Sequence, residues 1–173
     1  MAVDPAREYY ELRIRSFGNG TVHKAPVTGA SLGAKRVFEI KRDDLLFNIV
    51  FAWEGAVAVA RAEDDGRVGS HRFLTCVPAP GLATPAYLCF HFLTEAGLRQ
   101  LGEASPGGAG RNRTLGLKAL ERIKVPVPAF SKQVWFGQLL ERLDSVRRLQ
   151  VLSDTRLDAL LPSILDKAFR GEL

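Results

Sequence analysis

The first half of the chain alternates apolar and polar residues over short distances. Turn signals at residues 18–20 (GNG) and 64–66 (DDG) separate these stretches, as in short strands joined by tight connections. The run 45–53 is apolar at nearly every position, so it predicts a central strand covered on both faces. The spacing predicts a mostly antiparallel β-rich domain, with strands at residues 9–17, 36–40, 44–53, 55–62 and 71–77.

Helical spacing begins near residue 85 and returns, over a much longer stretch, near the C-terminus. Residues 85–101 repeat apolar positions at steps of three and four, and Thr84 is the predicted N-cap. A Gly-rich basic loop and a short turn follow, and then an extended segment, residues 124–128, that holds two prolines. Because proline fixes its own backbone angle and lacks an N–H, this segment is predicted to be a rigid connector to a long helix over residues 131–169.

The predicted long helix carries an apolar stripe, as a helix-to-helix seam requires. A lone helix cannot bury such a stripe, so we predict a partner from the same chain or from a second one. The fold class predicted is α+β (mixed α/β), with a β-rich domain at residues 1–130 and a coiled-coil-forming helical region at residues 131–173. The predicted seam contacts are Leu139, Leu143, Val146, Leu157, Leu160 and Ile164.

Composition predicts a globular protein rather than a disordered chain. The 173 residues are 46% hydrophobic and 25% charged, enough for one ordinary domain with its own core. The sequence shows no apolar run of membrane-spanning length and no secretory signal at its start, so we predict a cytoplasmic location. In that reducing setting Cys76 and Cys89 are expected to be buried free thiols.

Positive charge is concentrated in the body of the chain. The net charge is +5, from 24 basic and 19 acidic residues. From residue 139 onward six basic residues are balanced by six acidic ones, so the whole excess belongs to residues 1–138. A basic body and a neutral helix predict a polyanion partner for the first and a protein partner for the second.

Catalytic patterns are sparse. Asp43 and Asp44 are adjacent, and neighbouring strand residues point to opposite faces, so a turn is favoured over a carboxylate pair. Glu39 and Lys41 have the Glu-x-Lys spacing of many metal-dependent nucleases, but the sequence offers no convincing acidic partner for them. The three histidines have no metal-ligand spacing, and the Gly-rich loop lacks the ending of a P-loop. We therefore expect no metal and no cofactor.

Cations and amides on loops form a better candidate for a binding surface. Arginine suits contact with guanine or phosphate, asparagine can bind adenine, and lysine adds a phosphate contact. Solvated surface charge is an equally good interpretation of any one of them. The predicted DNA-binding set is Arg111, Asn112, Arg113, Thr114, Lys118, His71, Arg72, Lys35 and Arg36.

Several stretches taken together resemble a specificity subunit of a type I restriction–modification system. The residues "IKRDDLLFNIVFAWEGAVAVA" and "VGSHRFLTCVP" are similar to strands of its target-recognition domain, and "YLCFHFLTEAGLRQL" to the helix that follows. The most specific match is "GLKALERIKVPVPAFSKQ", with the helical spacer that starts at "LLERLDSVRRLQ" and ends in "KAFRGEL". The resemblance covers about residues 9–173.

The resemblance implies a non-catalytic subunit that binds one half of a bipartite double-stranded DNA target. It implies a long helix that pairs with an equivalent helix and docks methyltransferase subunits, and through them the restriction subunit, which carry the chemistry. A full specificity subunit has two recognition domains and two helices, and its domains often have a Trp-containing lead-in that is missing here. One of each fits a natural half-subunit, a truncated product or a fragment, and a half-subunit is expected to form a homodimer. A small metal-dependent endonuclease using Glu39 and Lys41, and an assembly module without DNA binding, stay open as alternatives.

Overall fold

The computed structural model describes residues 1–108 and 113–171, with the side chains of Arg148, Ala159, Leu161 and Ser163 outside the description. The chain divides into two units, Met1–Gln133 and Val134–Leu173. Small antiparallel sheets, packed helices and a long C-terminal helix confirm the predicted mixed α+β class. Within the described ranges, no helix is both long and apolar enough to cross a bilayer.

The strands pair antiparallel in four small sheets, which are β1–β4, β2–β3, β5–β8 and the three-stranded β7–β6–β9. An isolated parallel bridge joins Glu11 to Val68. The strands are β1 (Glu8–Tyr9), β2 (Leu12–Ile14), β3 (Thr21–His23), β4 (Val27–Thr28), β5 (Val37–Glu39), β6 (Leu45–Asn48), β7 (Val57–Val59), β8 (Val68–Ser70) and β9 (Phe73–Cys76). The helices are α1 (Gly29–Leu32), α2 (Pro85–Leu93), α3 (Glu95–Glu103), α4 (Leu117–Leu120) and α5 (Phe130–Phe169), with 3₁₀ turns at Ala52–Glu54 and Ala62–Asp64.

Strand β6 is the centre of the first unit, as the sequence predicts. Leu45 and Phe47 lie in a core cluster with Phe92 of α2, and the ring of Phe47 meets that of Phe92 edge to face at 5.2 Å. Leu46 points to the other face, into a second cluster that includes Ile40. Full burial of each such side chain contributes about 1.5–3 kcal/mol, so both faces of β6 stabilise the unit.

The predicted strand at residues 44–53 is wrong in its second half, because β6 ends at Asn48. The Asn48 side-chain oxygen accepts a hydrogen bond from the Val50 N–H at 3.1 Å, and its carbonyl accepts one from Phe51 at 3.0 Å. A side-chain amide that bonds its own backbone two residues on turns the chain out of the sheet. The apolar residues that follow form a 3₁₀ turn, Ala52–Glu54.

The single helix predicted over residues 85–101 is two helices, α2 and α3, with Thr94 between them. Thr84 caps α2 as predicted, accepting a hydrogen bond from the Tyr87 N–H. Thr94 is extended (φ −73°, ψ 161°), donates to the His91 carbonyl at 2.7 Å and accepts from the Gly97 N–H. A Cβ on Gly97 would overlap the His91 carbonyl oxygen, so only glycine lets the two helices approach this closely.

The proline connector, residues 124–128, is held by side-chain donors from three helices. Tyr87 of α2 donates to the Pro126 carbonyl at 2.7 Å, and Gln100 of α3 donates to the Lys124 carbonyl at 3.1 Å. Gln133, fully buried in the first turn of α5, donates to the carbonyls of Pro128 (2.8 Å) and Leu82 (3.0 Å). Its own oxygen accepts from the Thr84 N–H at 2.9 Å. Gln133 thus joins the connector to the loop before α2.

We expect Gln133→Ala to lower the free energy of unfolding of the first unit by about 2–3 kcal/mol, because it leaves one partly buried N–H and two carbonyls without these partners. Urea denaturation followed by circular dichroism measures the change. Gln138→Ala is the matched control, since Gln138 is exposed on the same helix and its substitution should cost less than about 0.5 kcal/mol. Equal stability of the two variants would contradict this role for Gln133.

Candidate nucleic-acid interface

Four of the predicted DNA-binding residues lie together at one end of the β5–β8 pair. The antiparallel register pairs Val37 with Ser70, so Arg36, directly before β5, and His71, in the turn directly after β8, lie at the same end of the strand pair. Lys35 and Arg72 flank them, and all four side chains are exposed. We call these four residues the basic edge.

Backbone hydrogen bonds bring Thr114 to the same end of the molecule. The Ile49 N–H, directly after β6, donates to the Arg72 carbonyl at 2.9 Å, and the Leu115 N–H donates to the Ile49 carbonyl at 2.8 Å. Leu115 is buried in the core cluster on α2 and α3, which fixes the segment, while Thr114 is exposed. Lys118 is exposed in α4, a short helix that begins two residues after Leu115. Residues 111 and 112, the predicted Arg111 and Asn112, lie outside the described residues.

Arg113 has a structural setting that the sequence did not reveal. Its Nε donates to the Ser105 carbonyl at 3.2 Å and its Nη2 to the Gly102 carbonyl at 2.9 Å, at the C-terminal end of α3. The guanidinium also lies 5.0 Å from the centroid of the Trp53 ring. A cation at a helix C-terminus is favoured by the helix dipole and by the unpaired carbonyls there. Whether Arg113 contacts DNA stays a prediction, but these contacts show that it holds the end of α3.

The candidate nuclease pair is an exposed ion pair. Glu39 Oε1 and Lys41 Nζ are 3.5 Å apart, with both side chains more than half exposed. Asp43 adopts a positive φ of 68° in a turn, and buried Asp44 accepts a hydrogen bond from the Lys41 N–H, so the turn interpretation of these two acids is correct. Among the described residues, no three His, Cys, Asp or Glu side chains form a group that could hold a metal ion.

A buried carboxylate, Asp64, lies at the end of the three-stranded β7–β6–β9 sheet that is opposite the basic edge. It accepts hydrogen bonds from the Thr21 hydroxyl (3.0 Å) and the Arg61 N–H (2.9 Å), and lies 2.7 Å from His23 Nε2. Arg61 lies two residues after Val59 of β7, and Val59 pairs with Leu45 at the start of β6. The basic edge is instead hydrogen-bonded through Arg72 to Ile49, which directly follows the end of β6. A cleft of about 540 Å³ lies here, lined in part by Arg15. The sequence indicated only a turn at Asp64.

Both cysteines are free, as expected, although each is partly rather than fully buried. Burial raises the pKa of the Cys89 thiol to about 12, although a backbone hydrogen bond at Val59 opposes the shift. Burial also raises the pKa of Cys76. A thiol needs to ionise to act as a nucleophile, so neither cysteine is suited to that chemistry at neutral pH.

In the second unit, Val134–Leu173, residues 134–169 belong to α5. All six predicted seam contacts are exposed, from 37% at Leu139 to 63% at Leu157. The described part of the chain therefore does not bury these six side chains. The exposed seam residues are Leu139, Leu143, Val146, Leu157, Leu160 and Ile164.

The fold is similar to solved structures from type I restriction–modification systems, although no family model and no curated protein matches the chain. The crystal structure of the HsdS subunit from Thermoanaerobacter tengcongensis matches with a TM-score of 0.64 and 20% identity, over 90% of this chain and 41% of that one. A chain from a study of complex assembly and conformational transition of the type I R-M system matches with a TM-score of 0.65 and 17% identity, over 95% and 44%. This chain thus has the fold of a part of those chains and spans less than half of their length.

We expect Arg113→Ala to lower the free energy of unfolding by about 1–3 kcal/mol, since it removes two hydrogen bonds to carbonyls and the contact with Trp53. Arg113→Lys should recover little of the lost stability, because an ammonium group cannot both bond the two carbonyls and stack on the Trp53 ring as a planar guanidinium does. Thermal and urea unfolding measure both. Lys118→Ala, at an exposed site, should change stability by less than about 0.5 kcal/mol, and an equally silent Arg113→Ala would contradict the structural role.

Proposed function

We propose that this chain is a non-catalytic, sequence-specific DNA-binding subunit of a type I restriction–modification system. In this proposal residues 1–130 bind one half of a bipartite target, and the helical region, residues 131–173, pairs with a second such helix and docks methyltransferase subunits. The observation that carries the proposal is the basic edge, where two separate strand ends bring four predicted contacts together. The similarity in fold to the HsdS subunit supports the same function.

The basic edge suits a DNA backbone for electrostatic reasons. Arg36 and Arg72 project long cationic side chains from strand ends whose backbones are fixed by the β5–β8 ladder and by Ile49. Fixed cations lose less entropy on binding than cations on mobile loops. Each phosphate that they neutralise releases counterions, which makes affinity depend steeply on salt.

The exposed stripe of α5 supports pairing through the second unit. A helix of 40 residues is about 60 Å long, and its apolar side chains gain from burial only against another helix. Two identical helices related by a two-fold axis would present two recognition domains to a split, palindromic target. Methyl transfer would then belong to the docked subunits.

Methylation mapping in cells that hold this chain and its cognate methyltransferase subunit tests the proposal directly. We expect methylated adenines in a split motif, whose halves change when residues 1–130 are exchanged. Purified protein incubated with plasmid and Mg²⁺ should leave the DNA intact. Cleavage by the lone chain that depends on Glu39 would instead favour the endonuclease alternative.

We expect Arg36→Ala combined with Arg72→Ala to weaken duplex DNA binding and to reduce the salt dependence of log K by about 0.9 for each phosphate that the variant no longer neutralises. Fluorescence anisotropy over a series of salt concentrations measures both effects. Arg15→Ala is the control, since exposed Arg15 lines the cleft at the other end of the sheet. An unchanged salt slope in the double variant would favour an assembly module without DNA binding.

We expect the full chain to sediment as a dimer at micromolar concentration and Leu143→Lys to shift it toward the monomer, because a charge in the seam cannot be buried cheaply. Gln138→Lys adds the same charge to the same helix at a position outside the predicted seam and should leave the dimer intact. Analytical ultracentrifugation distinguishes these states. A wild-type monomer at high micromolar concentration would count against pairing through α5.

A further inference from the structure

One face of the β5–β8 pair holds a half-exposed phenylalanine among cations. Phe38 pairs with Gly69 across the strands, and Arg36 lies two residues before it on the same face. His71 lies in the turn that directly follows β8, two residues after Gly69. Phe38 is 47% exposed. We call Arg36, Phe38 and His71 the Phe38 face.

The packing of Gly69 explains why no side chain lies across from Phe38. A Cβ built on Gly69 would come 2.6 Å from Cδ2 of Phe73, so the ring of Phe73 already occupies that position. Phe73 itself packs against the cluster that contains Ile40, which is 1% exposed and lies directly after β5, two residues after Phe38. Along β5 and its flanking residues, the alternating positions therefore pass from a buried residue, Ile40, to a half-exposed ring, Phe38, and then to an exposed cation, Arg36.

On the two strands that carry Phe38 and Gly69, the charged residues at alternating positions are basic. Among the described residues of β5, β8 and their immediate flanks, the positions that alternate with Phe38 and Gly69 carry no carboxylate, and Glu39 lies on the other face by alternation. Arg67, two residues before Gly69, places its guanidinium 5.8 Å from the centroid of the Tyr10 ring, which is also 47% exposed. Single exposed apolar residues are ordinary on protein surfaces. A ring flanked by basic residues, with no carboxylate at the alternating described positions of its two strands, is a more specific arrangement.

Duplex DNA offers a chemical match to this arrangement. Phosphates line both sides of the major groove, and the one apolar group that the base pairs present in that groove is the 5-methyl group of thymine. A ring at the centre of a cationic face can contact that methyl group while the flanking cations contact phosphates or base edges.

We propose that Phe38 is a specificity-determining residue that contacts the 5-methyl group of a thymine in the bound half-site. Arg36 and His71 lie at positions next to that contact. This inference rests on the proposed function and adds to it a residue that distinguishes one base pair from another. Such a residue is needed because the cations of the basic edge alone would bind duplex DNA of any sequence.

The test begins with selection of binding sites from a randomised duplex library by the purified full chain. In the enriched duplex, each thymine is then replaced in turn by uracil, which removes only the methyl group. We expect one replacement to weaken binding of the wild-type protein about fourfold, the effect of exposing one methyl group. In Phe38→Ala the same replacement should have no effect, and selection should lose its preference at that base pair. Phe38→Leu should retain part of the preference.

Phe90→Ala is the matched control, since Phe90 lies on α2 with 46% exposure, and it should leave the thymine preference intact. The uracil series with wild-type protein does not depend on how any variant folds. If no thymine methyl affects wild-type binding, or if the uracil effect survives in Phe38→Ala, the inference fails while sequence-specific binding stands. If the wild-type chain enriches no motif, the proposed function fails and the inference fails with it.

Discussion

Strand β6 is apolar on both faces, so the first unit can fold only by covering both. Its Leu45 and Phe47 require α2 and α3 on one side, and its Leu46 requires the β2–β3 hairpin and the end of β5 on the other. Both edges are paired, with β7 and β9. The elements around β6 are thereby placed relative to one another, and the backbone bonds of Ile49 to Arg72 and Leu115 follow directly after its end. The surface that we assign to DNA is a consequence of burying one strand.

The sequence predicted features whose cause is local or strongly periodic. The two-sided burial of β6, the cap at Thr84 and the long helix α5 are confirmed. The break at Thr94 was missed because apolar spacing continues across it, and the deciding contact, between Gly97 and His91, is made only when two helices cross. Strand β8 was missed because Val68–Ser70 is short and contains Gly69. The ring of Phe73, from the next strand, occupies the space that a side chain at Gly69 would need.

Charged residues show the same limit more sharply. Sequence alone treats Arg113 and Arg72 alike, as cations in loops. In the fold, Arg113 holds two carbonyls at the end of α3, whereas Arg72 binds Ile49 through its backbone and leaves its side chain exposed. Asp64 and Asp65 differ in the same way, since the first is buried with three polar partners around it and the second is exposed. Partners for such groups come from distant segments, so spacing along the chain cannot distinguish structural charges from available ones.

The contacts of Gln133 bear on where this chain can be joined to another. A chimera cut between the proline connector and α5, at the change of pattern in the sequence, would separate the Gln133 amide from its partners at Leu82, Thr84 and Pro128. A junction placed after Gln133 keeps that network within one parent, and it coincides with the division between Met1–Gln133 and Val134–Leu173. The first turn of α5 therefore belongs, for the purpose of recombination, with the β-rich unit that precedes it.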